Sequence, residues 1–361
     1  MAIEVKYIAF SPFILNQNKY IEIMQSLIRD NGFKIVSISQ SFSSYNCFKK
    51  TKVYHLNWFE ILNSKYKTGI FFQVLSKAFF LLFLNILNKK VVFTLHNKFQ
   101  HDAKGAFYHK LVLKIIILFS NKVIIHSKSS KDFLINRFID VLEYEKKVVY
   151  IPHPNYIEDY GDIHISTNKS ESSSLNLLFL GSIRPYKNIE LLIEVISCFS
   201  IVEVNLHIAG NYSSIDYKNK IIDMCRHIKN VTFGLRYIES NEIPKIISSF
   251  DLMVFPYDSS SVLNSGSLLL SFSYKKSALI PLVGTALDFK NKSHFFYYKY
   301  LNKSQHFSEL KSGIRRLIEL KKNDINIFNK IGESAYFQVL ENNSKNLVKE
   351  KLCVLYNELL C

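Results

Sequence analysis

The chain has 361 residues, of which 48% are hydrophobic and 21% charged, and its formal net charge is +16. This composition excludes a disordered protein, and the length suits two domains better than one. The basic excess lies mainly in the first half, where residues 1–160 carry 22 Lys and Arg against 11 Asp and Glu. A basic half predicts an anionic partner, which could be nucleic acid, a phospholipid surface or a diphosphate-linked substrate. Nucleic acid is the least favoured, because the sequence has no RNA-binding signature, zinc-finger spacing or basic tract.

The cysteines indicate a reducing compartment. They are odd in number, scattered and form no Cys-x-x-Cys pair; they are Cys47, Cys198, Cys225, Cys353 and Cys361. This pattern argues against a disulfide framework or a structural zinc site. The N-terminus runs directly into a strand pattern without a charged and then apolar leader, so we expect a cytoplasmic protein.

The first half alternates strand and helix patterns, which predicts a parallel sheet with helices on both faces. The predicted strands are 3–10, 33–38, 53–56, 91–97, 122–126 and 147–151. The predicted helices are 16–31, 69–87, 106–119 and one that follows Ser127. The first turn between strand and helix lacks Gly-x-Gly-x-x-Gly, which weighs against a classical dinucleotide-binding domain.

The helix predicted at residues 69–87 is apolar enough to be mistaken for a membrane span. Lys77, Gln73, Ser76 and Asn85 interrupt it, and a strand pattern follows directly. We therefore favour a buried helix of the first domain over a span. The third alternative is a helix whose outer face enters the bilayer interface.

Polar and aromatic residues at the ends of two strands are candidates for sugar recognition. His55, Asn57 and Trp58 lie at the carboxyl end of the strand at 53–56, where rings can stack on sugars and polar groups can bond hydroxyls. The alternative is that Trp58 begins a core helix and that His55 is incidental. His96 and Asn97 end the strand at 91–97. The loop beyond them carries His101 and Asp102, which are further candidates for an acceptor site.

A serine-rich stretch at 166–174 is the clearest predicted linker. It is preceded by Pro152-His153-Pro154 at the exit of the first domain, which we place at residues 1–165. The second domain is expected at 175–335, with strands at 175–180, 202–209, 230–233, 251–255, 277–283 and 295–298.

The first strand of the second domain ends at Gly181, and Arg184 and Lys187 follow before Asn188, which stands where a helix N-cap belongs. Ligands of open α/β sheets bind at the carboxyl ends of the strands. Two cations, a glycine and a helix start there predict a diphosphate site. The alternative is that both cations are solvated loop residues.

Two further loops of this domain predict donor contacts. Gly210 ends the second strand and permits close backbone approach. Residues 256–267 form a serine-rich loop before a helix, which is typical of a nest of N–H groups that binds anions. The donor-binding candidates in this loop are Pro256, Tyr257, Asn264, Ser265, Gly266 and Ser267. The alternative is an ordinary flexible loop.

The pattern strand–Gly–x–x–Arg–x–x–Lys–Asn–helix resembles the donor-phosphate loop of family 4 glycosyltransferases, and the TLHN and PY…SG segments are similar too. The resemblance implies an α/β fold of GT-B architecture: two Rossmann-like parallel-sheet domains with a cleft between them. It also implies a final helix at 336–361 that crosses back to the first domain.

The same resemblance implies roles for single residues. Arg184, Lys187 and His96 would be catalytic, and Tyr237 and Ile238 would contact the nucleotide base. The family usually has two glutamates eight positions apart, and here Leu263 and Ser271 occupy those positions; Ser271 would then face the donor ribose. The sequence has no Asp-x-Asp, so neither a metal nor another cofactor is expected.

The resemblance therefore implies a hexosyltransferase of bacterial surface polysaccharide biosynthesis, of the O-antigen or capsule type. It would move a sugar from a nucleotide-sugar donor to a lipid-linked saccharide acceptor, with retention of configuration. We expect it to associate peripherally with the anionic inner face of the cytoplasmic membrane. The alternatives are another GT-B enzyme, such as a nucleotide-sugar epimerase, and a non-catalytic assembly protein attached to the membrane.

Overall fold

The computed structural model describes residues 6–14, 18–62, 66–98, 106–138, 144–164, 173–259 and 262–361. The chain divides into two compact units. The N-terminal unit comprises Met1–Pro154 and Asn343–Cys361, and the C-terminal unit comprises Asn155–Asn342. Most of the stretch predicted as a linker, 166–172, lies outside the described residues.

The N-terminal unit is built on a parallel sheet of six strands in the order β2-β1-β3-β4-β5-β6. Its strands are β1 (Tyr7–Ser11), β2 (Lys34–Val36), β3 (Thr51–Asn57), β4 (Lys90–Leu95), β5 (Lys122–Ile125) and β6 (Val148–Tyr150). Its helices up to this point are α1 (Lys19–Asp30), α2 (Ile38–Ser41), α3 (Tyr45–Lys50), α4 (Lys67–Ile86), α5 (Ala106–Phe119), α6 (Lys128–Phe138) and α7 (Tyr144–Lys147). Most residues of the middle strands β3 and β4 are buried, because helices cover both faces of a parallel sheet.

The C-terminal unit repeats this plan with the strand order β12-β11-β10-β7-β8-β9. Its strands are β7 (Leu175–Leu180), β8 (Val204–Ala209), β9 (Val231–Gly234), β10 (Leu252–Val254), β11 (Ala278–Pro281) and β12 (Phe296–Tyr298). Its helices are α8 (Ile189–Ile196), α9 (Ile215–Cys225), α10 (Ile243–Ser248), α11 (Gly266–Ser273), α12 (Thr285–Asp288), α13 (Lys303–Asn323) and α14 (Ile327–Asn342). The two parallel sheets confirm the predicted α/β class with two Rossmann-like domains.

The last helix, α15 (Lys345–Leu360), is part of the N-terminal unit although it ends the chain. It packs on α1, and the side-chain amide of Asn31 donates to the carbonyl of Lys349 at 2.9 Å. Its Tyr356 hydroxyl lies 2.6 Å from Nδ1 of His55 in β3. The end of the chain thus completes the core of the first sheet.

Helix α4 corrects one expectation. It exists as predicted and buries Ile70, Val74, Leu81 and Leu84, but only 22% of its most apolar window is covered. Its other face exposes large apolar side chains, so the expectation of a buried helix is wrong. Among the described residues it is the one helix long and apolar enough to cross a membrane, and length and composition alone are weak evidence for a span.

Candidate functional site

The carboxyl ends of β7 and β8 meet closely through two glycines. Gly181 and Gly210 have φ angles of +153° and +140°. A side chain on Gly210 would place its Cβ 1.8 Å from the carbonyl oxygen of Gly181, so only glycine fits there. The next residues continue this contact, since the N–H of Ile183 donates to the carbonyl of Asn211 at 2.7 Å. The loop that carries the two cations is therefore anchored to its neighbour.

Lys187 lies on an aromatic surface at this edge of the sheet. Its ammonium is 4.1 Å from the ring centre of Tyr257 and 5.3 Å from that of Tyr186. Burial disfavours the charged form, but the two tyrosines outweigh it and raise the pKa of Lys187. Arg184 is exposed on the same loop. In the part of the chain that the structure describes, neither cation has a carboxylate at ion-pair distance, so both remain available to an anion.

The start of α11 lies against the same loop. The Ser267 hydroxyl would be 3.1 Å from a Cβ on Gly181, which places the first turn of α11 beside the end of β7. Ser265 is the N-cap: its hydroxyl accepts from the N–H of Leu268 at 3.1 Å and donates to the Tyr257 hydroxyl at 3.3 Å. Its own N–H donates to Thr285 Oγ1 at 3.1 Å. These hydrogen bonds hold the serine-rich loop at the start of α11 in place. The loop adjoins Tyr257, and the ammonium of Lys187 lies over the ring of that tyrosine.

Other predicted donor residues surround this edge of the C-terminal sheet. Asn188 is the N-cap of α8, with φ of +53° and no side-chain capping bond. Pro256 is buried, and Asn264 is half-buried in the loop before α11. Tyr237 is half-buried and Ile238 buried in the loop after β9, the sheet neighbour of β8. All of these positions lie in loops of the C-terminal unit, and their contacts with a donor stay predictions.

Two predicted ligand contacts are wrong. Ser271 is fully buried in α11, and its hydroxyl donates to the carbonyl of Lys276 at 2.7 Å, so it ties the helix to the segment that follows and cannot face a ribose. His55 is also fully buried; its ring nitrogens lie 2.6 Å from the Tyr356 hydroxyl and 2.7 Å from Thr94 Oγ1. His55 is therefore a structural residue, as the alternative interpretation had it.

In the N-terminal unit, Asn57 orients His96. The side-chain amide of Asn57 donates to the carbonyl of Ser11 at 3.1 Å, which turns its oxygen toward His96 Nε2 at 3.0 Å. Nε2 must then carry the proton, and Nδ1 carries none in the neutral ring. Burial and, after it, the neighbouring histidines hold the pKa of His96 well below its ordinary value. His96 is therefore a neutral imidazole of defined tautomer.

Trp58, the only tryptophan in the sequence, covers His96. The two rings are stacked 4.0 Å apart at 16°, and Trp58 has φ of +50°, in the left-handed region that non-glycine residues rarely adopt. Tyr20 meets both rings edge-on. Trp58 is thus not the start of a core helix, and it stands beyond the end of β3 in a strained conformation.

Two more histidines, which the sequence analysis left without a role, complete this cluster. His126 accepts from the Tyr20 hydroxyl at 2.9 Å and donates from Nδ1 to the carbonyl of Ile151 at 2.8 Å. His153, of the Pro-His-Pro segment, lies 5.3 Å from His126 between ring centres. Burial lowers the pKa of His126 to about 3 and that of His153 to about 4. The cluster is uncharged at neutral pH.

Glu60 is a further residue whose importance only the structure reveals. It follows Trp58 by two positions, and both carboxylate oxygens are buried without a hydrogen-bond partner from another described residue. Burial raises its pKa to about 7, against the opposing effects of its own backbone N–H and of Lys77. Its sequence signal was a single acidic residue beside the aromatic pair Trp58-Phe59, which does not distinguish a buried carboxylate from an exposed one.

The remaining candidates of the first domain are less defined. Asn97 is half-buried directly beyond β4. His101 and Asp102 lie outside the described residues, so their assignment to an acceptor site stays a prediction. The described ranges contain no group of three or more His, Cys, Asp or Glu residues that could hold a metal ion.

Comparison with known sequences finds a family similarity in the middle of the chain. Residues 163–262 match the family model of glycosyl transferases group 1, a range that includes the Gly181–Lys187 loop and Gly210. A curated relative is the GDP-mannose:glycolipid 4-beta-D-mannosyltransferase of Xanthomonas campestris pv. campestris. It is 28% identical over 232 residues, which are 63% of this chain and 61% of the relative. The alignment thus spans less than two thirds of that protein.

Solved structures share the architecture over the whole chain. Sucrose-phosphate synthase from Thermosynechococcus elongatus has a TM-score of 0.71 and 13% identity, covering 99% of this chain and 96% of its own. Anabaena HepE in complex with UDP and glucose has a TM-score of 0.68 and 11% identity. The match covers 98% of this chain and 100% of the HepE chain. At such identities the likeness establishes the fold alone. The family match and the shared architecture agree with the resemblance: the chain has the GT-B fold, and residues 163–262 match the group 1 glycosyl transferase model.

Proposed function

We propose that the protein is a hexosyltransferase that moves a sugar from a nucleotide-sugar donor to a lipid-linked saccharide. The observation that carries this proposal is the cation pair Arg184 and Lys187 beside Gly181, Gly210 and the first turn of α11. The mannosyltransferase relative is named for a nucleotide sugar and a glycolipid, which supports these two substrate classes. Bacterial surface polysaccharide synthesis is the process in which such an acceptor is expected.

The leaving diphosphate would be neutralised by side chains. As the bond to the sugar breaks, negative charge grows on the diphosphate, and a preorganised guanidinium and ammonium stabilise it. Lys187 is preorganised because its ammonium already lies over the ring of Tyr257. This role would make the reaction independent of a metal ion. Retention of configuration, which the family resemblance implies, stays a prediction.

The N-terminal unit would meet the acceptor at the membrane surface. Its helices α4 and α5 expose Phe72, Phe79, Phe83, Ile86, Phe107 and Leu118. The unit is basic, since Lys and Arg outnumber Asp and Glu twofold in residues 1–160. Exposed apolar side chains on a basic unit favour peripheral binding to anionic lipid, where the acceptor's lipid is also found.

A thermal-shift panel followed by a transfer assay tests the function. The panel would contain GDP-mannose, UDP-glucose, UDP-galactose and UDP-N-acetylglucosamine. We expect one donor to raise the melting temperature selectively, because a ligand stabilises the state it binds. That donor should then yield a glycosylated product with an octyl glycoside as acceptor. The proposal fails if no nucleotide sugar binds, or if a bound one is only epimerised or never transferred.

A further inference from the structure

The buried carboxylate of Glu60 is the least explained group in the protein. Glu60 is 7% exposed, and it is the only carboxylate among the described residues that is buried to this degree. Neither oxygen has a hydrogen-bond partner from another residue in the described ranges. Burying a carboxylate without hydrogen bonds strongly opposes folding, so its retention indicates a use outside the resting structure.

The loop that carries Glu60 is held in a strained conformation. Trp58 adopts φ of +50° while it stacks on His96. On the other side, the ammonium of Lys77 in α4 bonds the carbonyls of Phe59 and Ile61, each at 2.6 Å. That ammonium is the charged group facing Glu60, but it is directed to the backbone on either side of the carboxylate. Two costly features, a left-handed tryptophan and an unsatisfied carboxylate, thus occur within three residues.

The loop also stands where a substrate of this unit would bind. It begins directly after β3, and ligands of parallel sheets gather at the carboxyl ends of strands. Asn57, the last residue of β3, bonds His96 just beyond the end of β4. Glu60 is therefore next to the predicted acceptor residues Asn57 and Trp58, and not in a remote part of the core.

We propose that residues 58–60 open to receive the acceptor saccharide and that Glu60 then takes the proton from its attacking hydroxyl. The inference rests on the proposed transferase function. In the step, the acceptor oxygen forms a bond to the anomeric carbon of the donor sugar, and its proton passes to a Glu60 carboxylate oxygen. The bond from the anomeric carbon to the diphosphate breaks, and its electron pair leaves on the nucleoside diphosphate.

The acid–base properties of Glu60 suit this role. A general base works best when its pKa is close to the working pH, and burial raises the pKa of Glu60 to about 7. A displacement assisted by a base on the acceptor inverts the anomeric carbon. The inference therefore departs from the retention implied by the family resemblance, and the anomeric configuration of the product tests it.

The decisive experiment compares Glu60→Gln with the wild type and with Glu22→Gln, a control on α1 whose carboxylate is exposed and paired with Lys19. The glutamine keeps the shape and removes both the charge and the base. At pH 8 we expect Glu60→Gln to melt at a higher temperature than the wild type and to have at least 100-fold lower kcat, with the KM for the donor changed less than threefold. Glu22→Gln should retain wild-type kcat.

The possible results distinguish a failure of the role of Glu60 from a failure of the proposed transferase function. The inference is overturned if Glu60→Gln keeps wild-type kcat, if its melting temperature and kcat fall together, or if NMR shows that the product retains the donor's configuration. In all three cases the wild type still transfers sugar, so the proposed function survives. A wild-type protein that binds and transfers no nucleotide sugar would instead remove both.

Discussion

Arg184 and Lys187 are the two side chains on which donor binding depends. The ammonium of Lys187 is held against Tyr257, whereas Arg184 extends into solvent from the same loop. A held cation loses little freedom when a diphosphate binds, and an exposed guanidinium can reach it with two parallel hydrogen bonds.

We expect Arg184→Ala and Lys187→Ala each to weaken binding of GDP or UDP by roughly 10- to 100-fold, as loss of a charge-assisted hydrogen bond does. Each variant should also abolish detectable sugar transfer while remaining folded. Isothermal titration calorimetry measures the first effect. Arg226→Ala is the matched control, because Arg226 is exposed and paired with Asp223. If both variants transferred sugar at the wild-type rate, the donor site could not lie in this loop.

Gly210 allows a test of how closely the loops after β7 and β8 approach. Gly210→Ala should destabilise the protein by about 1–3 kcal/mol more than Gly161→Ala, because its Cβ would overlap the backbone of Gly181. Gly161 also has a positive φ, of +97°, but a Cβ added there would meet no described atom within 4 Å. Urea denaturation measures both. Equal losses would mean that φ alone, and not the contact, requires glycine.

Glu60 predicts a pH dependence of stability with a definite sign. Its pKa is raised from 4.5 to about 7, so the folded state binds the proton more tightly than the unfolded state between these values. Its contribution is therefore favourable below pH 4.5 and is lost as the pH rises through 7, by an amount on the order of 3 kcal/mol. Glu60→Gln should match the wild type in stability near pH 4.5 and exceed it at pH 8. A constant difference across this range would contradict the assignment.

At the scale of elements, α4 has two different faces. One face packs on α5 and β4, and the other exposes Phe72 and Phe79, each 66% accessible, with Ile86. Single exposed apolar side chains scattered over a surface are common, but a continuous apolar patch marks an interaction surface.

We expect the double variant Phe72→Ser, Phe79→Ser to bind vesicles of phosphatidylglycerol and phosphatidylethanolamine at least tenfold more weakly, because two apolar side chains no longer enter the interface. Co-sedimentation measures the loss. Val354→Ser removes an exposed apolar residue from α15 in the same unit and should leave binding unchanged. Binding that is equal in all three proteins would exclude α4 as the membrane face.

Strand and helix patterns were predictable to within a few residues where the signal is local. The helix 106–119 is observed as predicted, and β12 was predicted at 295–298 and found at Phe296–Tyr298. The burial of α4 was not predictable, because its composition suits a core helix and a surface helix equally. Which face of an apolar helix is covered depends on what packs on it, and that partner, α5, lies beyond an intervening strand.

At the scale of the whole molecule, the end of the chain supports the first sheet. Tyr356 and His55 are 301 positions apart and share a hydrogen bond of 2.6 Å inside the N-terminal unit. Both side chains are fully buried, so neither can turn to water if the other is lost.

Tyr356→Phe should therefore lower the free energy of unfolding of this unit by about 1–3 kcal/mol, the cost of leaving a buried polar group without its partner. Trp58 is the only tryptophan and lies in the same unit, so its fluorescence follows the unfolding. Tyr45→Phe, at an exposed position, is the control and should be neutral. A neutral Tyr356→Phe would show that His55 does not need this hydroxyl.

The sequence by itself determined the alternation of strands and helices, the two-sheet α/β class and the glycine and two cations that follow β7. These depend on local periodicity and on turn residues, which neighbours in sequence specify. Only the tertiary structure decided that Lys187 rests on Tyr257, that His55 and Ser271 are internal, and that Glu60 is buried without a hydrogen-bond partner from another described residue. Each of these depends on side chains brought together from distant elements, and burial is a property of the packed chain and not of the residue.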